Sequence, residues 1–382
     1  MDDQHSWHWR SLWPLYVANL LSTTALFMQF RLLRPWAGAH GEQWAATCLS
    51  CGVAMVVGMF VLGPLGSRLV EVFRRKDVCE ASLLLMLLAA VLLGYVETLL
   101  GASTLFLMMG IGFSLTQMSL GSTLLNDLSV SAKRTPTDFY YLWAGRIGWP
   151  LGMLLPVALA ELLTLKGMGL VGGALCGVAV LLVMSLKVSF RAPIKVPVLS
   201  MDRFWKPQAW PLVANLLPVA MIQGFVLASP FLSMASIGAI ALGLFVAFAT
   251  HRLFFEAADN RAPIVAGLLL EMAAMGLIRV SVDLTMLHFA CVMFGIGMGW
   301  AYSRFVLYFL KLSGHCQRGT LQQTYVLSVM TGLVLGFILA AQGADQLMVP
   351  LLLAAAAMLL YLGFTHRWFA RTADRSFKFR EV

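Results

Sequence analysis

Charge is scarce in this 382-residue chain: 12% of its residues are Asp, Glu, Lys or Arg, and 60% are hydrophobic. A soluble domain carries about a quarter charged residues, so this composition cannot both fill a core and cover it with a wettable surface. The shortage excludes a single water-soluble globule and makes the bilayer the solvent. There, every backbone N–H and C=O has to be satisfied internally, by helices or by a closed barrel. The alternating strands of about ten residues that mark an outer-membrane barrel are missing, which leaves helices.

Cysteine is sparse as well. Of the six, Cys48 and Cys51 have the spacing of a redox pair, but positions i and i+3 of an apolar helix are ordinary neighbours. The sequence lacks a His/Cys/Asp/Glu cluster with metal-ligand spacing, so neither a metal nor a cofactor is expected. It lacks a nucleophile–base constellation, so an enzyme is not expected. It lacks a Gly-x-x-x-x-Gly-Lys-[Ser/Thr] loop, which excludes an ATP-driven pump within this chain. The polar start MDDQHSWHWR is followed by an apolar run with no small-x-small cleavage site, so the first span is expected to be retained.

What the chain does have is apolar runs of the roughly 20 residues a membrane helix needs. Twelve are read, at about 10–30, 44–66, 78–97, 102–126, 137–160, 168–188, 208–230, 232–250, 262–282, 285–310, 320–343 and 347–365. Basic residues set their orientation, because Lys and Arg in short loops mark the cytoplasmic side. Of the 27 Lys and Arg, 21 fall on one side. Arg31, Arg34 and Lys166 fall on the other, and Arg146, Arg279 and Arg304 lie within spans. Both termini are therefore expected to be cytoplasmic. The net charge of +9 reflects this bias rather than a nucleic-acid partner.

The two halves repeat each other. SLWPLYVANLL at 11–21 returns as QAWPLVANLL at 208–217, and MMGIGF at 108–113 returns as MFGIGM at 293–298. Tyr141, Gly148 and Gly152 correspond to Tyr325, Gly332 and Gly336. The first-half copy of the Trp-Pro phrase lies further from its partner than the other pairs do, and the long first external loop RLLRPWAGAHGEQ is expected to absorb the difference. Pro14 and Pro211 are expected in first helical turns, where a missing N–H costs little. Six spans followed by six in the same orientation form a parallel repeat about an axis along the membrane normal. The domains expected are an N-terminal six-helix bundle at 1–188, a cytoplasmic linker at 189–207, a C-terminal six-helix bundle at 208–366 and a basic tail at 367–382. The linker, with its prolines and charges, suits an extended connector that lets two bundles move. The tail either lies along the anionic inner leaflet or is an ordinary solvated tail.

Over nearly its whole length the chain resembles the major facilitator superfamily. GPLGSRLVEVFRRK, after span two, is similar to the family's loop motif Gly-x-Leu-x-Asp-Arg-x-Gly-Arg-Arg through Gly63, Leu65, Arg68, Arg74 and Arg75, with Ser67 standing where the motif has Asp. NDLSVSAKRTPTDFYYLW, with Asp127 and Arg134, resembles the acidic-then-basic turn after span four, and GHCQRGTLQQTYVL, with Arg318, its second-half partner. GRIGWPLGMLLP resembles the Gly-x-x-x-Gly-Pro-x-x-Gly signature of proton-coupled exporters through Gly148, Pro150 and Gly152. Plain helix packing explains these small residues equally, and Gly332 and Gly336 in the other half favour it.

The resemblance implies an all-α, polytopic membrane protein of twelve helices in two pseudo-symmetric bundles, with spans one, four, seven and ten lining a cavity. It implies gating by Arg68, Asp127, Arg134 and Arg318, which otherwise cap helix ends. Charged residues at bilayer depth are functional candidates. Arg146 and Arg304 suit an anionic ligand, or else belong to structural ion pairs such as Glu271 with Arg279 or Arg304. Asn19, Gln117, Asn215, Gln223, Trp300 and Tyr302 are further substrate candidates; Asn19 and Asn215, placed at matching depths by the repeat, are either substrate or gate contacts or symmetric packing glue. Glu271, mid-span, is the candidate proton carrier.

The function expected is secondary active transport of small organic, anionic or amphiphilic molecules, by proton-coupled export or exchange in a bacterial-type inner membrane. A metabolite importer or facilitator is the alternative within transport, and a non-transporting membrane sensor or assembly partner the alternative outside it. The expected partners are a small-molecule substrate, a proton or other coupling ion and the lipid bilayer, with the protein a monomer and no nucleic acid.

Overall fold

The computed structural model describes residues 3–129, 134–188, 197–229, 232–254, 261–313, 317–345 and 348–378. Among these the chain is helical throughout, without strands. Its first helices are α1 (Asp3–His40), α2 (Trp44–Val61), α3 (Gly63–Val72), α4 (Arg75–Leu93), α5 (Leu99–Ser119), α6 (Leu125–Leu128), α7 (Arg134–Leu159) and α8 (Leu165–Met184). They are followed by α9 (Trp210–Ala228), α10 (Met234–Phe254), α11 (Arg261–Val280), α12 (Leu284–Lys311), α13 (Arg318–Ala341), α14 (Met348–Leu360) and α15 (His366–Lys378). Ten helical segments among the described residues are long and apolar enough to cross a membrane. The long helices α1 and α4 are less apolar. The first buries Asn19, Ser22, Thr23, Thr24 and Gln29, and the second opens on Arg75, Lys76 and Asp77.

The chain divides into two compact units, Met1–Lys206 with Cys316–Leu327, and Pro207–His315 with Ser328–Val382. In the first, α1 packs on α7 and α8, α2 on α5, and α4 on α5 and α8. In the second, α12 packs on α10 and α11, and α14 on α9 and α11.

Three expectations are corrected. Residues 31–40 are not loop: α1 runs on to His40 and stops at Gly41, whose φ of +68° favours glycine. The added turns bury Leu32, Leu33, Trp36 and Ala37, and the Trp36 indole N–H donates to the Val96 carbonyl at 2.8 Å. A buried stripe of this kind outweighs the helix cost of Pro35 and the charges of Arg31 and Arg34. Pro14 is likewise interior to α1, because the polar residues before it are helical too, whereas Pro211 does open α9. The linker is the third case. Residues 189–196 lie outside the described residues, but 197–206 is docked on the first unit by hydrogen bonds and ring contacts. Of the tail, 379–382 lie outside the described residues; α15 begins by stacking Phe369 on Tyr308 of α12 at 4.1 Å.

The repeat is visible in how each unit is seamed. A Cβ on Gly148 would lie 2.9 Å from the Leu20 carbonyl oxygen, and one on Gly152 2.5 Å from that of Thr24, so α7 rests directly on the α1 backbone. In the second unit a Cβ on Gly332 would lie 2.7 Å from the Leu217 carbonyl oxygen, and one on Gly336 would run into that of Met221, so α13 rests on α9 in the same way. Pro150 is buried between the two first-unit glycines. Overpacking a close seam costs about 1–3 kcal/mol. Gly152→Leu is therefore expected to lower the thermal unfolding midpoint clearly, while Gly38→Ala, where a Cβ meets nothing within 4 Å, leaves it unchanged or slightly raised.

Candidate functional site

The interior of the first unit is organised by α1, α5 and α7. The Asn19 side-chain amide donates to the Tyr141 carbonyl at 2.8 Å and its oxygen accepts from Gln117 at 2.7 Å. The Tyr141 hydroxyl closes the ring by donating to Gln117 at 2.9 Å. All three residues are buried, so Asn19 and Gln117 spend their polar atoms on neighbouring helices. Gln29, nearly three turns further along α1, lies against Gly172 of α8.

Beside this ring the α-helical pattern of α5 gives way to a π-turn at Leu120–Leu124 before α6, a feature that recurs at functional sites. The turn brings Gly121 against Tyr141 and against Gln322 of the first turns of α13, with room for no Cβ: one would lie 2.8 Å from Gln322 Nε2 and 2.9 Å from the Tyr141 ring. Gln322 is 2% exposed, and neither its Nε2 nor its Oε1 has a hydrogen-bond partner among the described residues. Its neighbour Gln323 donates to the Ser114 carbonyl at 3.1 Å. One turn along α13, the Tyr325 hydroxyl accepts from Arg146 at 3.2 Å. The Arg146 guanidinium also sits over the Trp143 ring, 4.6 Å from its centroid, a cation–π arrangement. Arg146 is thus held in place by two aromatic residues, half-buried, with a buried carboxamide nearby.

The charged residues form a separate network at the α3 end of this unit. Arg75 pairs with Glu71 at 2.9 Å and with Asp127. Arg203, from the linker, pairs with the same Glu71 at 2.5 Å. Arg318 reaches Asp138 at 2.5 Å and the Thr135 hydroxyl at 2.8 Å. Of the expected gating residues, Asp127 pairs with Arg75, and Arg68 is exposed. Arg134 stands at the first turn of α7, one turn before Asp138. Lys133, in the same turn motif, lies outside the described residues.

In the second unit Tyr302 donates to Gln223 at 3.1 Å, and Trp300 to the Thr250 hydroxyl at 2.9 Å. Asn215 donates to the Ala357 carbonyl of α14 at 2.8 Å. Its repeat mate Asn19 bonds to α7, so the two asparagines do not take equivalent partner helices. Arg304 is 3% exposed in α12. Glu271 is 1% exposed, and both its carboxyl oxygens lack a hydrogen-bond partner among the described residues. It faces the seam of α11 and α12: a Cβ on Gly297 would lie 3.0 Å from its Cγ. Arg279 instead approaches Asp345 at 3.8 Å, both half-exposed. The expected ion pairing of Glu271 with Arg279 or Arg304 is not formed. Cys48 and Cys51 are free and buried.

Sequence reading missed Glu71, Arg203, Asp138 and Gln322, and named Arg75 only as part of the loop motif. The Tyr141–Tyr325 repeat and the turn motif with Arg318 were the signals that the start of α13 matters.

No protein-family model and no curated protein matches the sequence. Solved structures do match. The human organic anion transporter MFSD10 (TETRAN) superposes with a TM-score of 0.72 at 14% identity, over 93% of this chain and 98% of that one. A bacterial homologue of the human lysosomal transporter Spinster, inward-facing and unoccupied, gives 0.68 at 14%, over 96% and 98%. The nucleoside transporter NupG gives 0.63 at 13%, over 94% and 98%. The repeat, the glycine seams and these near full-length superpositions agree: the chain has the fold of major-facilitator-type transporters.

Proposed function

We infer that the chain is a secondary active transporter of an inner (plasma) membrane, moving small organic anions or anionic amphiphiles by alternating access, with export or exchange driven by a proton gradient. The observation that carries the substrate class is the trio of Arg146, Tyr325 and Gln322. A guanidinium fixed by Trp143 and Tyr325 offers fork-like donors suited to a carboxylate or phosphate. The unpartnered carboxamide of Gln322, one turn of α13 away, offers one donor set and one acceptor to a neighbouring polar group. A human organic anion transporter among the fold neighbours supports the same class.

In this reading all twelve helices cross the membrane, α1 and α4 included, and both termini are cytoplasmic, as the distribution of basic residues supports. The protein works as a monomer. Arg304, Trp300, Tyr302 and Gln223 serve the substrate from the second unit. Asn19, Gln117 and Asn215 position helices. Arg318 with Asp138, and Asp127 with Arg75, serve the gate, and Glu271 carries the proton.

Ligand-induced thermal stabilisation checks the substrate class. Across matched panels of organic anions and organic cations, anions are expected to raise the unfolding midpoint of the purified protein and cations to leave it unchanged. Stabilisation by cations alone would sink the anion assignment.

A further inference from the structure

The linker segment Ser200–Lys206 makes two sets of contacts of different character, both inside the first unit. Toward α3 it is anchored by backbone and rings. Ser200 N donates to the Pro64 carbonyl at 3.0 Å, and the Ser67 hydroxyl donates to the Asp202 carbonyl. The Phe204 ring occupies the space where Gly63 has no side chain. Phe60 meets both Phe204 and Trp205 edge-on at 5.8 Å. Toward α13 it is held by backbone-to-hydroxyl hydrogen bonds, among them Arg203 N to the Thr320 hydroxyl and Lys206 N to the Thr324 hydroxyl, each 2.9 Å. Thr320 and Thr324 are one turn apart, so they present both acceptors on one face of the helix.

Two irregularities are explained by this docking. Arg203 has φ +59°, a conformation that residues with a Cβ avoid and that persists only where the surroundings over-determine it. Here Glu71 at 2.5 Å, the Ser122 carbonyl at 3.4 Å and Thr320 hold it. Ser67 stands where the resembling loop motif has Asp. A hydroxyl can donate to the Asp202 carbonyl, whereas an ionised carboxylate there would set acceptor against acceptor. The departure from the motif is what lets the linker bind.

We propose that Ser200–Lys206 is a strap that clamps the first turns of α13 to the α3 end of the first unit, and that its α13 contacts open and close in each transport cycle while its α3 contacts persist. The opening step rests on the transport reading; the clamp does not.

Hydrogen exchange on the full-length protein tests the clamp. In the wild type, amides of 200–206 and 321–327 are expected to be protected. In Thr320→Val/Thr324→Val, which removes both acceptors at nearly constant size, both segments are expected to exchange at least tenfold faster together. Gly63→Ala, which evicts Phe204 without touching α13, is expected to do the same. An unprotected strap in the wild type, or a double variant that leaves 321–327 unchanged, overturns the proposal.

The cycle is tested by cysteine pairs. Oxidised Arg203→Cys/Thr320→Cys is expected to stop organic-anion exchange in liposomes, with recovery on reduction, while oxidised Ser67→Cys/Asp202→Cys continues to exchange. Equal exchange by both oxidised pairs overturns the opening step. Coupled hydrogen exchange in a protein that moves no anion, reduced or oxidised, contradicts the transport reading and leaves the clamp standing.

Discussion

Glu271→Gln is expected to abolish accumulation driven by a pH gradient, by at least tenfold, while substrate exchange at equal pH continues. The carboxyl lies in α11 at 1% exposure, facing Gly297, with no partner for either oxygen among the described residues. A negative charge held there without a counter-charge is costly, and this cost is why Glu271 is proposed to take up and give off the proton. Glutamine keeps the volume and the polarity but cannot titrate, so the variant separates proton coupling from substrate movement. The same logic fixes the sign of the stability effect. Replacing an unpartnered ionisable group with a neutral one of equal size is expected to leave the unfolding midpoint unchanged or to raise it. Proton-driven accumulation at the wild-type level would remove Glu271 from the mechanism. A large fall in the midpoint would mean that the carboxyl has a structural partner.

The second large effect is expected at Arg146. Arg146→Gln should weaken the apparent affinity for an anionic substrate by about 10–100-fold, because a hydrogen bond to a charged group contributes about 1.5–3 kcal/mol. Arg146→Lys should recover only part of the loss. A lysine keeps the charge but neither the planar fork nor the stacking over Trp143. Gln322→Ala should raise KM with little change in kcat, since its unsatisfied carboxamide is offered to substrate equally before and during translocation. Uptake kinetics in liposomes separate these cases. The thermal midpoints of all three variants guard against loss of fold. Wild-type KM in Arg146→Gln would move the anion site elsewhere, with Arg304 of α12 the next position to test.

Much of this arrangement was legible in the sequence, and the parts that were not share a cause. Apolar runs place helices because burial follows hydropathy along the chain, and the repeat of Gly148 and Gly152 in Gly332 and Gly336 pointed to close packing on one helix face, since residues four apart share a face, but not to the helices they meet. The repeat fixed depth, however, not azimuth. Asn19 and Asn215 hold equivalent places in the repeat yet turn to α7 and α14 respectively. The extension of α1 through Pro35 was hidden because its charges read as loop, while its gain comes from Trp36 meeting Val96 sixty positions away. The loop motif held both Arg68 of α3 and Arg75 of α4, and the fold brings Arg75 to Asp127. The strap was invisible for the same reason: Gly63, Ser67 and Thr320 acquire meaning only when Phe204, Asp202 and Arg203 arrive from elsewhere in the chain.

Transport itself is the central claim, and flux through the purified protein in liposomes measures it most directly. Liposomes loaded with an organic anion and given the same labelled anion outside should exchange label far faster than protein-free liposomes, and an inside-to-outside pH difference should drive net accumulation that Glu271→Gln abolishes. Label movement no faster than in protein-free liposomes, with every anion that stabilises the protein thermally, would contradict the account.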